Sequence, residues 1–529
     1  MNCHRRDILK SGALAGLALS VSPLALGPLR AQDVAPLSLD FDPEGYEILT
    51  TTVATPTGDK VVRYRFWKAI PYVARPVDVA YQSLNIGVPV EIDGVEVDAS
   101  DAPILFANSV GGYMPSSVAE AAGIAEGGMG GPGGRGAGGR PAGGRPDGAP
   151  PQGPGREVPS GGNAMLDRGG RRVSNAKLAL AAGMVVVEPG ARGRTLVDGA
   201  GIYFGTAPAA IVDLKAAVRW LRHNRGRVPG NVDRIVSSGT SAGGALSALL
   251  GASGDSPLYA PWLAEIGAAE ESDAIFAAGC WCPITDLEHA DMAYEWNWGR
   301  NPLTSGEVVD QDVSAELREA FADYQLSLGL RQSGEGPRIT AETMGDWLVE
   351  RWLRPEATRY LAALSEADRE PYLEANPYIA WYEGEAVFDW ADFRAHVGPR
   401  KKTVPAFDAF DLSSGENSLF GAGQVAARHF TAFSAARAGV ALDADIPEKL
   451  ALMNPMHFLS EENPGRAGHW WLRVGAKDSD TSLSVVANLA ASLEKRGNEV
   501  NTRYYWDAGH GANEDAADFI AWIGEISRI

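Results

Sequence analysis

The chain of 529 residues carries 47 basic and 67 acidic side chains, which gives a formal net charge of -20. A chain of this length buries a large core, as one large domain with an insertion or as two domains. Its acidity argues against a general attraction to nucleic acid or to an anionic membrane. The eight histidines and three cysteines show no zinc-binding spacing, so we expect no metal and no organic cofactor. Cys280 and Cys282 are interpreted as buried small hydrophobic residues.

The N-terminus has the pattern of a targeting segment. Arg5 and Arg6 precede a mildly apolar run at 13–26, and the pattern resembles a twin-arginine export signal. Residues 1–32 are therefore predicted to be a signal peptide, cleaved near Ala31, and an uncleaved N-terminal anchor is the alternative. Cleavage would release a periplasmic or secreted protein that is not attached to a membrane.

The first half of the chain is rich in strand patterns. Residues 47–53 and 60–70 are β-like, and the strand pattern at 102–107 leads into Gly111 and Gly112. A glycine pair after an early strand can present a backbone N–H to an oxyanion, although an ordinary turn has the same sequence. The Gly-, Pro- and Arg-rich stretch 123–172 cannot bury enough apolar surface to fold, so we predict a disordered loop.

Regular alternation of strands and helices follows this loop. A buried strand is predicted at 183–187, an amphipathic helix at 211–224 and a strand at 234–238. This order favours right-handed crossovers and a mostly parallel sheet.

The motif Gly239-Thr240-Ser241-Ala242-Gly243 lies between that strand and a helix-like run at 245–250. A sharp strand-to-helix turn lifts a serine Oγ above the sheet and aims the next backbone N–H at the developing oxyanion. Ser241 is the candidate nucleophile, with the N–H groups of Ala242 and Gly112 as candidate oxyanion donors.

A long insertion separates two core strands of the predicted sheet. The strand pattern at 276–281 is followed by the next parallel-type strand only at 470–475, roughly 190 residues later, which is too many for one crossover. The intervening sequence is helical and rich in aromatic residues. We expect an α/β-hydrolase domain formed by 33–285 and 466–529, with a mainly helical lid domain inserted at 286–465.

The remaining members of a serine triad follow the last two strands in the expected order. Asp478 is the first acid after the strand at 470–475, and His510 lies between glycines after the strand at 501–506. Asp478 can orient His510, which then accepts the serine proton. Asp480 is the competing acid.

The chain resembles the bacterial tannases of the plantarum type, also called subtype B, which are α/β-hydrolases. The resemblance is strongest over four segments: 189–194, 239–255, 282–296 and 405–408. It implies cleavage of galloyl esters by Ser241, Asp478 and His510. It further implies a gallate pocket that contains Lys402, Glu416 and Asp480.

The implied pocket suits gallate chemically. Ionised Glu416 and Asp480 can accept phenol O–H donors, while Lys402 donates to a phenol oxygen. Without the resemblance, Lys402 could belong to a solvated basic turn, Glu416 could be a surface acid and Asp480 could be a helix N-cap.

We therefore expect a serine esterase that acts on a small phenolic ester such as a galloyl ester. A feruloyl or other aryl esterase on the same fold is the nearest alternative. A peptidase and an inactive binding protein on this fold are further ones.

Overall fold

The computed structural model describes residues 35–124, 165–332 and 336–528. Its central feature is a ten-stranded sheet with the order β1-β2-β3-β8-β5-β9-β10-β13-β14, in which β4 also pairs with β3. The strands of this sheet are β1 Glu47–Thr55, β2 Gly58–Pro71, β3 Ser83–Ile92, β4 Val95–Glu96, β5 Pro103–Ala107, β8 Val185–Pro189, β9 Asn231–Thr240, β10 Ala277–Trp281, β13 His469–Gly475 and β14 Glu499–Tyr505. Two small hairpins pair β6 Met165–Leu166 with β7 Arg172–Val173 and β11 Ala380–Tyr382 with β12 Glu385–Val387.

Six neighbouring strands of this sheet are parallel. Strands β8, β5, β9, β10, β13 and β14 run in the same direction, whereas β1 to β3 join antiparallel at one side. Every residue of β8 and β10 is buried, because both faces of a parallel sheet are covered by crossover segments. The predicted α/β-hydrolase class with a mostly parallel central sheet is confirmed.

The helices connect the parallel strands and form most of the insertion. Their bounds are α1 Asn175–Ala181, α2 Ala209–His223, α3 Ala242–Ala252, α4 Ala260–Glu265, α5 Leu287–Trp298, α6 Gln311–Ser327, α7 Met344–Leu348, α8 Arg354–Ala363, α9 Glu366–Ala375, α10 Trp390–Val397, α11 Gly415–Leu419, α12 Ala432–Arg437, α13 Ile446–Met453, α14 Pro455–Leu459, α15 Leu483–Lys495 and α16 Ala516–Ile526. A short 3₁₀ turn precedes α4, and a π-helical turn at Val349–Leu353 joins α7 to α8. The predicted apolar face of α2 is buried along its whole length.

The segment between β10 and β13 is the predicted insertion. It contains helices α5 to α14 and the β11–β12 hairpin. Its side chains pack directly on the sheet: the Trp352 ring stacks on Tyr504 of β14, with centroids 4.9 Å apart. Residues Leu37–Ile529 form one compact unit, and the domain boundaries at 285 and 465 stay a prediction.

Two predicted segments lie wholly or mostly outside the described residues. The predicted signal peptide 1–32 lies outside them. Most of the predicted disordered loop 123–172 also lies outside the described residues. Its predicted end at 172 is wrong, because β6 and β7 form a hairpin within 165–173. The Arg171 N–H donates to the Asp167 carboxylate in the turn of this hairpin. Composition cannot register such pairing. Among the described helices, none is long and apolar enough to cross a membrane.

Candidate active site

Ser241 occupies a sharp turn between β9 and α3. Its φ of 60° and ψ of -121° lie in a region that non-glycine residues rarely adopt. The flanking glycines have no room for a side chain: a Cβ on Gly239 would lie 2.3 Å from the Gly243 carbonyl oxygen, and one on Gly243 would lie 2.6 Å from Asn108 Oδ1. The glycine spacing of the motif is thus a packing requirement of this turn.

Backbone contacts hold the turn against the neighbouring strand. The Ser241 N–H donates to the Trp281 carbonyl at 2.9 Å, and the Ile284 N–H donates to the Ser241 carbonyl at 3.2 Å. The strained serine is therefore fixed from both sides, as backbone strain at functional sites requires.

Asp478 and His510 meet at the same edge of the sheet as Ser241. Thr240, Trp281 and Arg473 pair along the parallel register, so the residues that follow β9, β10 and β13 emerge side by side. The fully buried Asp478 carboxylate contacts His510 Nδ1 at 2.8 and 3.0 Å. This contact occupies Nδ1 and leaves Nε2 as the ring nitrogen able to act as a base.

The contact with Asp478 also shifts the pKa of His510. Burial of His510 opposes protonation, but the Asp478 carboxylate outweighs burial, so the pKa of His510 lies well above its usual range. Only the neutral ring can accept a proton, so His510 is able to act as a base above that pKa.

Cys282 is a neighbour of the histidine that sequence reasoning missed. The residue directly follows β10, has a φ of 37°, and places Sγ 3.9 Å from His510 Nε2. Its Sγ also accepts the Gly511 N–H at 3.3 Å. Cys282 directly follows a strand next to the strand-to-helix elbow at 239–243, and this position was the sequence feature that could have indicated the contact. Cys280 is buried as predicted, and burial raises the pKa of its thiol.

The described residues contain one group of three side chains able to hold a metal ion. It consists of Cys282, Asp478 and His510, whose ligand atoms lie within 4.8 Å of one another. No hydrogen bond within the described part of the chain joins Ser241 Oγ to His510. Catalytic hydrogen bonds are often loose without substrate, so this does not remove Ser241 from the site.

The predicted oxyanion donors flank the elbow. Ala242 begins α3 directly after the serine. Gly112 has a φ of 55° in a turn closed by the Met114 N–H, which donates to the Gly111 carbonyl at 2.9 Å. This loop touches the elbow, because a Cβ on Gly243 would lie 2.7 Å from the Val110 carbonyl oxygen.

Lys402 and Asp480 lie near each other. Burial raises the pKa of Asp480, but His510, Lys401 and Lys402 outweigh it and leave the pKa below its usual range. The Lys401 ammonium pairs with Asp480 at 3.1 Å, and the Lys402 ammonium lies 3.5 Å from the centre of the Phe407 ring.

Tyr294 joins the two segments that carry this pair. Its hydroxyl donates to the Ser479 carbonyl at 2.9 Å and accepts the Lys402 N–H at 3.1 Å. Tyr294 thus ties the Asp480 segment to the Lys402 segment, and of the two acids only Asp478 is hydrogen-bonded to His510 within the described residues.

A buried ion pair anchors the lysine segment, residues 400–402. Arg400 and Glu295 both have fully buried side chains and are joined by two hydrogen bonds, one of them 2.9 Å long. Arg400 Nε also donates to the Lys402 carbonyl at 2.8 Å. Residues 400–402 are therefore not a solvated basic turn, since their first member anchors the segment in the core.

Glu416 lies in α11 and has different neighbours. Its charge acts on Tyr113 and on Arg194, beside the oxyanion loop. No described hydrogen bond or ion pair joins Glu416 to Lys402 or Asp480. The fully buried Asp408 carboxylate orders this segment, because it accepts the Asn417 side-chain amide at 2.7 Å and two backbone N–H groups from 430–431.

Comparison with known proteins places this arrangement in a family. The structure superposes on a Fusobacterium nucleatum tannase with a TM-score of 0.73 and 34% identity, covering 93% of this chain and 100% of that one. The Lactobacillus plantarum tannin acyl hydrolase gives a TM-score of 0.72 and 32% identity, with 93% and 99% covered. The chain belongs to the bacterial tannase family. It is a carboxylic ester hydrolase.

Two weaker matches agree with this tannase assignment. The BD-FAE family model matches residues 203–307, which include β9, the elbow and β10. The Mycobacterium tuberculosis esterase LipQ is 36% identical over 90 residues, which make up 17% of this chain and only 20% of LipQ. Tannin acyl hydrolase structures 32% and 33% identical to this tannase were solved in complex with ethyl gallate and with 3,4-dihydroxybenzoate.

Proposed function

We propose that this enzyme hydrolyses galloyl esters through an acyl-enzyme formed on Ser241. The observation that carries the proposal is the 2.8 Å contact between Asp478 and His510 at the sheet edge that holds the strained Ser241 turn. The family membership supplies the ester-hydrolase chemistry.

The proposed reaction has two steps, acylation of Ser241 and hydrolysis of the acyl-enzyme. His510 Nε2 accepts the Ser241 hydroxyl proton as Oγ bonds to the ester carbonyl carbon, and the N–H of Ala242 and the loop at Gly112 bind the oxyanion. The ester C–O bond then breaks, and the alcohol leaves with the proton from His510. Water repeats the sequence on the acyl-enzyme and releases the free acid.

The acyl ring is proposed to lie between Lys402 and Asp480 on one side and Glu416 on the other. Ligands with adjacent ring hydroxyls in the related structures support this choice. The low pKa of Asp480 keeps its carboxylate ionised at neutral pH, as an acceptor of phenol O–H groups must be. A ring without hydroxyls would leave these partly buried polar groups without a hydrogen-bond partner on the ligand.

A substrate panel with one variant tests this function. Methyl gallate, methyl 3,4-dihydroxybenzoate and methyl benzoate are compared at neutral pH, and we expect kcat/KM to fall at each loss of a hydroxyl, by up to about 10⁴ in total. Equal rates for all three esters, or faster hydrolysis of methyl ferulate, would contradict the galloyl pocket. Hydrolysis retained by Ser241→Ala, or absent fluorophosphonate labelling of Ser241 in the native protein, would contradict the mechanism.

We also propose that the enzyme is exported to the periplasm or beyond. The paired Arg5 and Arg6 before an apolar run support twin-arginine export of the folded protein. Cell fractionation of the full chain and of an Arg5→Lys, Arg6→Lys variant tests this. Equal cytoplasmic retention of both proteins would contradict it.

A further inference from the structure

Two loops pair beside the serine turn. Ser116 and Ala191 exchange backbone hydrogen bonds of 2.8 and 2.9 Å, and the Arg194 N–H donates to the Tyr113 carbonyl at 2.9 Å. The loops touch so closely that a Cβ on Gly193 would lie 2.1 Å from the Pro115 nitrogen. The loop that carries the predicted oxyanion donor is therefore held by the segment that ends at Arg194.

The turn held in this way has an unfavourable backbone. Gly112 and Tyr113 have φ values of 55° and 54°, which is the pattern of a type I′ turn. A bulky residue such as Tyr113 rarely adopts a positive φ, so this conformation needs support from its surroundings. Part of that support is the Tyr113 hydroxyl, which donates to the Ile284 carbonyl at 2.9 Å.

The Arg194 side chain also supports the turn. Its Nε donates to the Gly112 carbonyl at 2.8 Å. A trans peptide places the carbonyl and the following N–H on opposite sides, so fixing the Gly112 carbonyl also fixes the direction of the Tyr113 N–H. Within the described residues, the N–H groups of Gly112 and Tyr113 donate to no other group, which leaves them available to an oxyanion.

The other side of the guanidinium faces the Glu416 segment. A Cβ on Gly415 would lie 2.9 Å from Arg194 Nη2 and 3.1 Å from Cζ, so the guanidinium packs directly against the Gly415 backbone. Burial lowers the pKa of Arg194, and the charge of the Glu416 carboxylate acts against that shift.

We propose that Arg194 is the positioning residue of the oxyanion hole: its guanidinium holds the Gly112 carbonyl so that the turn presents its N–H groups to the developing oxyanion. The same guanidinium packs on Gly415, while the Asp408 carboxylate holds the Glu416 segment separately through Asn417. The assignment rests on the proposed function, because it requires an oxyanion formed at Ser241. Arg194 does not itself contact the reacting atoms.

The affinity of phenylboronic acid measures oxyanion binding separately from recognition of the ring hydroxyls. The Ser241 Oγ–B bond forms while the hydroxyl proton moves to His510, and one boronate oxygen of the tetrahedral adduct occupies the oxyanion hole. The probe has no ring hydroxyls, so it forms no phenol hydrogen bond with Lys402, Glu416 or Asp480, and any penalty from that pocket is the same in the wild type and in the Arg194 variants. Gallate binding reports that pocket separately.

The test compares Arg194→Met with the wild-type chain. We expect phenylboronic acid to bind about 10-fold more weakly or worse, and kcat/KM for methyl gallate and methyl benzoate to fall by the same factor, because an oxyanion donor is worth about 10² to 10³ in rate. The Kd of gallate should change less than about threefold, since ground-state binding is retained. Added guanidinium ion should restore part of the boronate affinity and of the rate.

Two further variants serve as a substitute for Arg194→Met and as a control. Arg194→Lys retains the charge without the planar Nε donor and should show the same selective loss if Arg194→Met does not fold. Arg171→Met removes a mostly exposed arginine that pairs with Asp167 and should leave both affinities unchanged. Unchanged boronate affinity in the Arg194 variants, or an equal loss of gallate affinity, would overturn the assignment. A wild-type chain that neither binds the boronate nor reacts with a fluorophosphonate at Ser241 would instead refute Ser241 as nucleophile, which distinguishes the two failures.

Discussion

The Asp478 carboxylate lies 2.8 Å from His510 Nδ1 and is completely buried, so it raises the pKa of the histidine above its usual range against the opposing effect of burial. Catalysis needs the neutral ring, and activity should therefore fall as the pH falls through that raised pKa.

Asp478→Asn should lower kcat by about 10⁴, because the amide no longer holds the required tautomer. It should also move the acidic limb of the kcat/KM profile to lower pH, since the negative charge that favours protonation is gone. Both effects are read from pH–rate profiles of the two proteins, with circular dichroism as the control for folding. An unshifted acidic limb would mean that another group sets it.

Lys402 and Lys401 form a matched pair for testing the acyl pocket. Lys402→Met should weaken gallate binding by about 1.5–3 kcal/mol, since a hydrogen bond from a charged donor is lost. Lys401→Met should change unfolding stability by less than about 1 kcal/mol, because its ion pair with Asp480 is partly exposed. Calorimetric titration with gallate and urea unfolding measure the two changes. A larger loss of gallate affinity in the Lys401 variant would assign the donor role to Lys401.

The Arg400–Glu295 pair should matter mainly for folding and for placing Lys402. Glu295→Gln leaves the Arg400 charge buried without its partner, so we expect a loss of about 3–5 kcal/mol in the free energy of unfolding. The KM for methyl gallate should rise with it, because Arg400 Nε donates to the Lys402 carbonyl. Urea unfolding and steady-state kinetics check both effects. A double Glu295→Met, Arg400→Met variant should be more stable than Glu295→Gln, and the opposite order would contradict this account.

Asp507 ties the insertion to the histidine loop. It accepts hydrogen bonds from His396 Nε2 at 2.6 Å and from the Tyr372 hydroxyl at 2.5 Å, and it pairs with Lys477 at 2.9 Å. Burial raises the pKa of Asp507, but these partners outweigh it and hold the pKa well below its usual range. A lowered folded-state pKa stabilises the fold above the unfolded value of about 4, and this stability disappears as the pH falls below it.

Asp507→Asn should therefore unfold more readily than the wild type at neutral pH, by about 1.5–3 kcal/mol, and the difference should shrink between about pH 5 and pH 2. Urea unfolding at a series of pH values measures it. Tyr372→Phe removes one donor and should show a smaller difference with the same pH dependence. A difference that is constant with pH would show that the Asp507 charge does not contribute.

Cys282 should make the enzyme sensitive to soft divalent cations. A thiolate and an imidazole nitrogen are good ligands for Cd²⁺, and Asp478 holds the other ring nitrogen as a supporting carboxylate. We expect reversible inhibition by Cd²⁺ that a chelator relieves, because the ion would occupy the lone pair of the base. Cys282→Ser should need about 10-fold more Cd²⁺ for half inhibition relative to its own activity. Equal sensitivity of both proteins would place the inhibitory ion elsewhere.

The serine turn, the strands beside it and the chain order Ser241, Asp478, His510 were readable from local patterns. Strand and helix periodicity extends over a few residues, and the elbow requires glycines at a fixed spacing, so these features depend little on distant contacts. The parallel register then follows from topology, which brings the ends of the strands to one edge.

Tertiary structure alone decided which side chains meet at that edge. Cys282 reaches His510, Arg194 holds Gly112, and Arg400 pairs with Glu295, in each case across roughly 80 residues of chain or more. Such contacts depend on rotamers and on backbone angles such as the φ of 37° at Cys282, which packing imposes and no local pattern encodes. The sequence by itself thus determined the fold class and the order of the proposed triad, whereas the packing of distant segments decided how His510, the turn at Gly112 and the segment 400–402 are held.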